Sequence, residues 1–426
     1  MGESMQAAGP ANPEPVKPAR KRLDSIDMLR GIVMVVMMLD HTRDFIHSGA
    51  LLFDPLDLSK TTVSLFLTRW ITHYCAPIFV FLAGTGAYLQ FARGKSKSEL
   101  SRFLITRGLW LIILEVTVVR LLVTFSVDPK LLFFLQVIWV IGVSMIVLAA
   151  LIHLPLKVVA GFGLAMIALH NLLDRFPAQP WRGPGTPVPG WGAKFWMLLH
   201  QQAFFPAGST FPSPIVAVLY PLIPWIGVIA AGYAFGALYQ MDTERRRKLL
   251  LYIGGACVTL FCVIRAWDVY GEPQHWHKQK NIIFTILSFI NTTKYPPSLD
   301  FLLMTLGPGI VALYLFERPR ATTAGHASIQ ARLRTFFVTF GRVPLFFYLL
   351  QWFTAHTIAL LLNISFGKPW KWLVKTPVDW QYQPGMGFNL IVVYACWIGG
   401  VLLLYPLCKW FAGVKARRRD WWLSYL

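Results

Sequence analysis

The sequence predicts an all-α integral membrane protein: a single bundle of about ten transmembrane helices with both termini cytoplasmic. Three observations carry this. Of 426 residues, 55% are hydrophobic and only 14% charged, against about 25% charged in ordinary soluble domains, and mean hydropathy is +0.52. Apolar runs of the roughly 20 residues that a helix needs to cross a bilayer recur along the whole chain. The net charge of +20 sits in clusters that all fall on one side of such a bundle. A soluble enzyme, a disordered chain and a disulfide-stapled secreted module are excluded. Nucleic acid is not expected as a partner, because the basic clusters read as topology signals.

Residues 1–22 form a Pro-rich leader, basic at its end, expected to be disordered and cytoplasmic. It has no apolar core of the kind a cleavable signal carries. The polytopic domain takes 23–414, and 415–426 is a basic cytoplasmic tail. The spans fall near 26–46, 63–91, 103–126, 131–152, 155–173, 214–239, 249–269, 298–317, 335–364 and 388–412. Two of them, 63–91 and 335–364, exceed one crossing and should tilt or kink, at Pro77 and Pro344.

Basic clusters at Arg20–Arg22, Arg93–Arg102, Arg245–Lys248, Arg318–Arg334 and Lys415–Arg419 alternate with the spans so that all are cytoplasmic. The longer connections, about 47–62, 174–213, 270–297 and 365–387, lie on the opposite face. Trp181, Trp191, Trp196, Trp225, Trp276, Trp370 and Trp372 suit an aromatic belt there. The run NIIFTILSFI at 281–290 is too short to span and reads as interfacial or re-entrant. Five cysteines lie in or beside apolar segments, so no structural disulfide is expected.

Charged side chains inside a membrane cost roughly 2.5–3.5 kcal/mol each on insertion scales, so their positions carry information. The first span opens with Asp27 and Arg30 and closes with Asp40, His41, Arg43, Asp44 and His47. Arg30 and His41 share one helical face, about 16 Å apart along the axis. A groove on that face suits an extended ligand, with a cation at one end and an ionisable base at the other. Asp44 can reach the His41 imidazole and fix its tautomer, while Asp40 and His47 make a second pair. The second span adds Arg69, Thr72, His73, Tyr74 and Cys75 ahead of Pro77, and Gly84 and Gly86 allow close packing. Plainer accounts stand beside these: headgroup contact for 40–47, an anchoring ion pair for Arg30 and Asp27, a satisfied bundle histidine for His73. Arg120 and Arg265, at the outer ends of spans three and seven, either snorkel or bind. No phosphate-cradling Gly loop and no clear metal spacing is present, so no metal is expected.

The segments RLDSIDMLRGIVMVVMMLDHTRDFIH, HYCAPIFVFLAGTG, YPLIPWIGVIAAGYAFG, KYPPSLDFLLMTLGP and GRVPLFFYLLQWFTAH resemble successive blocks of a bacterial family related to the catalytic domain of heparan-α-glucosaminide N-acetyltransferase. They cover spans one, two, six, eight and nine. The first span also resembles type 3 acyltransferases through an Arg-x10-His signature, here Arg30 and His41. The resemblance implies a multi-pass transferase of the bacterial cytoplasmic (inner) membrane. It would move an acyl group, most simply acetyl, from cytoplasmic acyl-CoA to the O or N of an extracytoplasmic glycan or lipid-linked acceptor. In the lysosomal relative Asn stands at the His41 position and the key histidine follows the helix, where His47 is the nearest match. Gln351 stands where relatives often carry His.

On that reading acetyl-CoA is the co-substrate, met at its phosphate end by Arg30, Arg22 and Arg107 beside Asp27. His41 is the general base, oriented by Asp44 and flanked by Asp40, with His47 or His73 as a reserve base or transient acyl carrier. Arg43, Arg69, His73, Tyr74, Lys294 and Tyr295 face the acceptor or the oxyanion, and Ser298 helps close the outer mouth. Membrane lipids surround the bundle, and a homo-oligomer stays open. A transporter or flippase for a lipid-linked or small anionic molecule would use the same Arg, Asp and His, although no duplicated broken helices mark the chain. A scaffold or sensor would leave Asp27, Arg30, Asp40 and His41 without purpose.

Overall fold

A computed structural model describes residues 23–317, 326–418 and 420–425. The leader, with Arg22, and the basic residues Arg318, Arg320 and Arg419 lie outside the described residues.

The chain opens with α1 (Asp24–Ile46). Helices α2 (Val63–Ile71) and α3 (Cys75–Ala92) are joined by a tight turn at Thr72–Tyr74. Pro77 has no N–H to offer the His73 carbonyl one turn back, so the expected kink falls just ahead of the proline. A capping box of Ser96 and Glu99 starts α4 (Lys97–Leu114), which runs through a π-turn at Glu115–Val119 into α5 (Arg120–Thr124). Then come β1 (Leu131–Leu135), α6 (Val137–Leu151), α7 (Leu156–Leu169), α8 (Trp191–His200), β2 (Ala203–Pro206), β3 (Ile215–Val218) and α9 (Leu222–Phe235). The chain finishes with α10 (Thr243–Trp267), α11 (Ile282–Ile290), α12 (Leu299–Phe316), α13 (His326–Arg342), α14 (Pro344–Ser365) and α15 (Leu390–Arg417).

Among the described residues seven helical segments are long and apolar enough to cross a membrane: 63–92, 156–175, 222–240, 243–267, 299–316, 344–365 and 390–417. Helices α1, α4 and α6 are the counterparts of the other three expected spans; α1 is charged at both ends and α6 has 15 residues.

The all-helical expectation needs correcting in two places. The apolar runs at 131–152 and 214–239 both begin as strands, and β1 runs parallel to β3 while β2 runs antiparallel to it. Short runs such as LLFFL and IVAV carry no periodicity that separates strand from helix. The long run at 335–364 is two helices: α13 ends at Arg342, and Pro344 starts α14 at its first position, where a missing N–H costs nothing. The interfacial run at 281–290 is the short helix α11, and α8 lies inside the connection 174–213.

Helix α1 is the hub, packed against α3, α12, α13, α14 and α15. It approaches α13 so closely that a Cβ on Gly31 would stand 1.8 Å from the Phe337 carbonyl oxygen, and one on Gly341 1.8 Å from that of Asp27. Helices α3 and α9 meet likewise: a Cβ on Gly84 would lie 2.0 Å from the Ile229 carbonyl oxygen, and the Thr85 hydroxyl donates to the Gly232 carbonyl at 3.0 Å. Gly86 has open space beside it. The close-packing expectation therefore holds for Gly84 and fails for Gly86.

One end of the bundle gathers the basic clusters. Arg246 pairs with Glu317 at 2.8 Å, which also accepts from Ser25, and Arg334 pairs with Asp24 at 3.2 Å. Loops close the other end. Phe388 donates to the Ile46 carbonyl, Ser48 donates to the Phe388 carbonyl, and Lys130 pairs with Asp379. Arg265 and Arg120 bind rather than snorkel. Arg265, almost wholly buried, donates to the carbonyls of Gln274, Ser288, Phe289 and Asn291; Arg120 donates to those of Asp128 and Leu131. Of the expected belt tryptophans Trp191 is exposed, whereas Trp225 and Trp372 are core residues. All five cysteines are free.

Candidate functional site

A cavity of about 730 Å³ enters the bundle from the basic end between α1, α3, α4, α6 and α14. Arg30, Arg93, Arg107, Arg342 and Lys415 line it against a single carboxylate, Asp27. Arg30 Nη1 lies 3.3 Å from Asp27 Oδ1 and donates to the Gly341 carbonyl at 3.3 Å. That tether holds the guanidinium on the wall, and the Gly31–Gly341 approach brings the carbonyl within reach. Deeper walls are apolar: Met34, Met37, Phe79, Leu82, Leu111, Ile138 and Ile141, with Tyr348. Cations at the entrance and an apolar shaft suit an elongated ligand with an anionic head.

A second cluster occupies the outer end of α1. Asp40 Oδ2 accepts from Arg69 Nη1 at 2.5 Å, and Asp40 Oδ1 lies 2.9 Å from Arg43 Nη2. Breaking so buried a pair by removing one partner typically costs about 3–5 kcal/mol, because the other charge is stranded. His41 is buried and stacks on the Trp352 indole of α14, ring centroids 3.5 Å apart and planes 18° apart. Its Nδ1 has no hydrogen-bond partner. Arg43, Arg69 and Lys294 all act electrostatically on His41, Asp40 and His73. Buried His73 packs on Phe301, and neither ring nitrogen is hydrogen-bonded. Above them burial would raise the Tyr295 phenol, but Lys294 and Arg69 outweigh it and hold it below the ordinary tyrosine range. Its neighbour Tyr220, ring centroid 5.2 Å away, is pushed well up by burial and by Tyr295.

One helical turn separates the two regions. Met37 lines the cavity and His41 follows it by four residues; Tyr348 lines it and Trp352 follows by four. The rise is about 6 Å on each helix.

The structure thus brings together Asp27, Arg30 and Arg107 in the cavity, and Asp40, His41, Arg43, Arg69, His73, Lys294 and Tyr295 in the cluster. Two expected pairings are not made. Asp44 turns to Arg43 rather than to His41, since its half-exposed side chain reaches the neighbouring guanidinium first. His47 does not pair with Asp40, which Arg43 and Arg69 engage. Its Nδ1 instead accepts the Gly49 N–H at 3.1 Å, and burial and Arg43 hold its imidazole below the ordinary value of 6.5. Tyr74 packs edge-on against Trp70. Ser298 is buried, donating to Glu272.

Sequence reasoning missed Trp352 and Tyr348, aromatics within an apolar run that carry no signal of their own. Arg93 and Lys415 carry only a topology signal in the sequence, and nothing in it singles out Arg342.

No curated protein matches the chain. The family model described as heparan-alpha-glucosaminide N-acetyltransferase, catalytic, matches residues 22–270, more than half of the sequence. The matched stretch holds α1 to α10, and with them the Arg30–His41 face, Arg69 and His73. Lys294, Tyr295, Tyr348 and Trp352 lie beyond it. The chain belongs to the heparan-alpha-glucosaminide N-acetyltransferase catalytic family.

Proposed function

We propose that this protein is a membrane acetyltransferase that takes its acetyl group from cytoplasmic acetyl-CoA and passes it across the bundle. The acceptor is a hydroxyl or amine of an extracytoplasmic glycan or lipid-linked sugar. Family membership supports acetyl transfer at a membrane, and seven apolar helices support a multi-pass chain. We read ten crossings, with α1, α4 and α6 completing the bundle. The basic end faces the cytoplasm of a bacterial inner membrane by the positive-inside rule. The observation that carries the reading is the single turn between the cation-lined cavity and His41.

The residues fit such a donor. Arg30, Arg93, Arg107, Arg342 and Lys415 meet its phosphates, and the methionine-lined shaft along α1 takes the arm. The acceptor reaches His41 from the outer face. His41 removes the acceptor's proton as the acceptor oxygen or nitrogen bonds to the acyl carbon. The carbon–sulfur bond then breaks, and the thiolate recovers the proton from the imidazolium. Arg43, Arg69 and Lys294 supply positive charge around the developing oxyanion. With Asp44 turned away, Asp40 is the nearest carboxylate to balance a protonated His41. His73 is the reserve base or acyl carrier.

The test is acetyl-CoA binding and thiol release by the full-length protein in detergent. Acetyl-CoA should raise the melting temperature, less so in Arg30→Ala, and thiol release should fall at least a hundredfold in His41→Ala, as loss of a general base requires. Transfer unchanged in His41→Ala sinks the His41 assignment. No stabilisation by any acyl-CoA sinks the donor and turns the cavity into a transport pathway.

A further inference from the structure

A second concavity lies on the outside of the bundle at the basic end, where α4 begins and α6 ends. It is a groove of about 320 Å³ lined by Ser98, Ser101, Arg102, Ile105, Thr106 and His153. Two contacts hold its walls together. The Ser101 hydroxyl donates to the Ala149 carbonyl at 2.9 Å, and the Lys97 ammonium donates to the His153 carbonyl at 3.2 Å. Two turns further along, the same helices touch backbone to backbone: a Cβ on Gly108 would stand 2.5 Å from the Gly142 carbonyl oxygen.

The lining selects by charge. Arg102 brings a guanidinium, His153 an imidazole and Ser98 a hydroxyl, and no lining residue is acidic. Glu99, the nearest carboxylate in sequence, is taken up by the Ser96 N–H and hydroxyl in the cap of α4. The Arg102 guanidinium makes no ion pair among the described residues. An anion matches this set, and a guanidinium fork suits phosphate. The surface beyond the groove narrows the choice. Ser98, Arg102, Ile105, Leu109 and Ile113 follow one another at spacings of three and four residues, so they share one face of α4. The three apolar members of that row are exposed. A phosphate in the groove therefore sits at the head of an apolar strip that runs along the helix into the hydrocarbon. A free phosphate has no use for the strip, whereas a phospholipid carries phosphate and chain in that order. A choline lipid would bring a cation that no lining carboxylate meets.

We propose that this groove is a specific site for an anionic phospholipid. Arg102, Ser98 and His153 hold its phosphate, and a chain lies along Ile105, Leu109 and Ile113. The lipid clips α4 to α6 from outside, behind the wall that Arg107 and Ile141 give the larger cavity. The site does not depend on the acyl-CoA reading.

Native mass spectrometry of the full-length protein in detergent tests this, because it resolves bound lipids by mass. The probes are phosphatidylglycerol, phosphatidylcholine with the same chains, and glycerol 3-phosphate, which has the phosphate and no chain. One phosphatidylglycerol should bind ahead of any others, with the other two probes at least tenfold weaker. Arg102→Gln should lower that affinity about tenfold, the worth of a hydrogen bond to a charged group, and His153→Gln should lower it also. Arg245→Gln removes an exposed arginine at the same end outside the groove and should leave affinity unchanged. Both groove positions are exposed, so ligand-free melting temperatures should match the parent; if Arg102→Gln melts lower, His153→Gln carries the comparison. Parent-like affinity in both groove variants overturns the site, and so does equal weakening in Arg245→Gln, which would mark diffuse attraction to a basic face. Glycerol 3-phosphate binding as tightly as phosphatidylglycerol overturns the lipid in favour of a plain phosphate site. Equal binding of phosphatidylcholine overturns the charge selection, and a parent that retains no phosphatidylglycerol overturns the proposal outright.

Discussion

The turn after α1 depends on one protonation state. His47 Nδ1 accepts the Gly49 N–H, so that nitrogen must be unprotonated, and burial and Arg43 push the group's pKa below 6.5. A base whose folded pKa is depressed lends stability above its unfolded value, lost as pH falls from there toward the folded value. Acidification below about pH 6.5 should therefore loosen the 47–53 turn and lower the melting temperature. His47→Gln should flatten that part of the profile, because an amide does not titrate. Identical acid slopes in parent and variant would remove His47 from the account. Arg30, Asp40 and His41 were legible at this scale because a charge in an apolar run is conspicuous. Their partners were not: which guanidinium Asp40 holds depends on Arg69, a residue from another helix, and the Trp352 ring over His41 comes from 311 positions away.

At the scale of elements, α1 is fixed by backbone-to-backbone contact more than by side chains. Methyl groups at Gly31 or Gly341 would stand 1.8 Å from opposing carbonyl oxygens, so α1 and α13 must separate to admit either. Overpacking costs typically about 1–3 kcal/mol, and a clash with backbone sits at the upper end. Gly31→Ala and Gly341→Ala should each lower the melting temperature by several degrees. Arg30 should also lose its hold on the Gly341 carbonyl. Gly86→Ala, with nothing within 4 Å, should match or slightly exceed the parent, since alanine favours helix by up to about 1 kcal/mol. Three equal melting temperatures would mean that the α1–α13 approach is not a constraint. The spans themselves were readable from run length and the kink from Pro77. The strands were not, because their pairing joins segments some eighty residues apart in the chain: Leu135 stands opposite Val218.

Across the whole molecule, the basic clusters do two jobs. They mark one face, and two of their members, Arg93 and Lys415, line the cavity with Arg342 beside Arg30 and Arg107. The opposite face holds the Asp40 cluster under loops clamped by Arg265 and Arg120. The proposed transfer requires these faces to lie on opposite sides of the bilayer, which cysteine labelling in intact cells can decide. In a background lacking the five native cysteines, Arg102→Cys marks the basic end and Lys278→Cys the looped end; both positions are exposed. A membrane-impermeant maleimide should label Lys278→Cys in intact bacterial cells and Arg102→Cys only after the membrane is opened. The reverse pattern would invert the molecule and put the cavity outside, away from any cytoplasmic acyl-CoA. Labelling of both in intact cells would place the two faces on one side, which requires an even number of crossings from α4 to α10 in place of the five read from the sequence. The shared path from Arg30 to His41 would then no longer traverse the membrane, and the cluster would have to draw its acceptor from the side that supplies its donor.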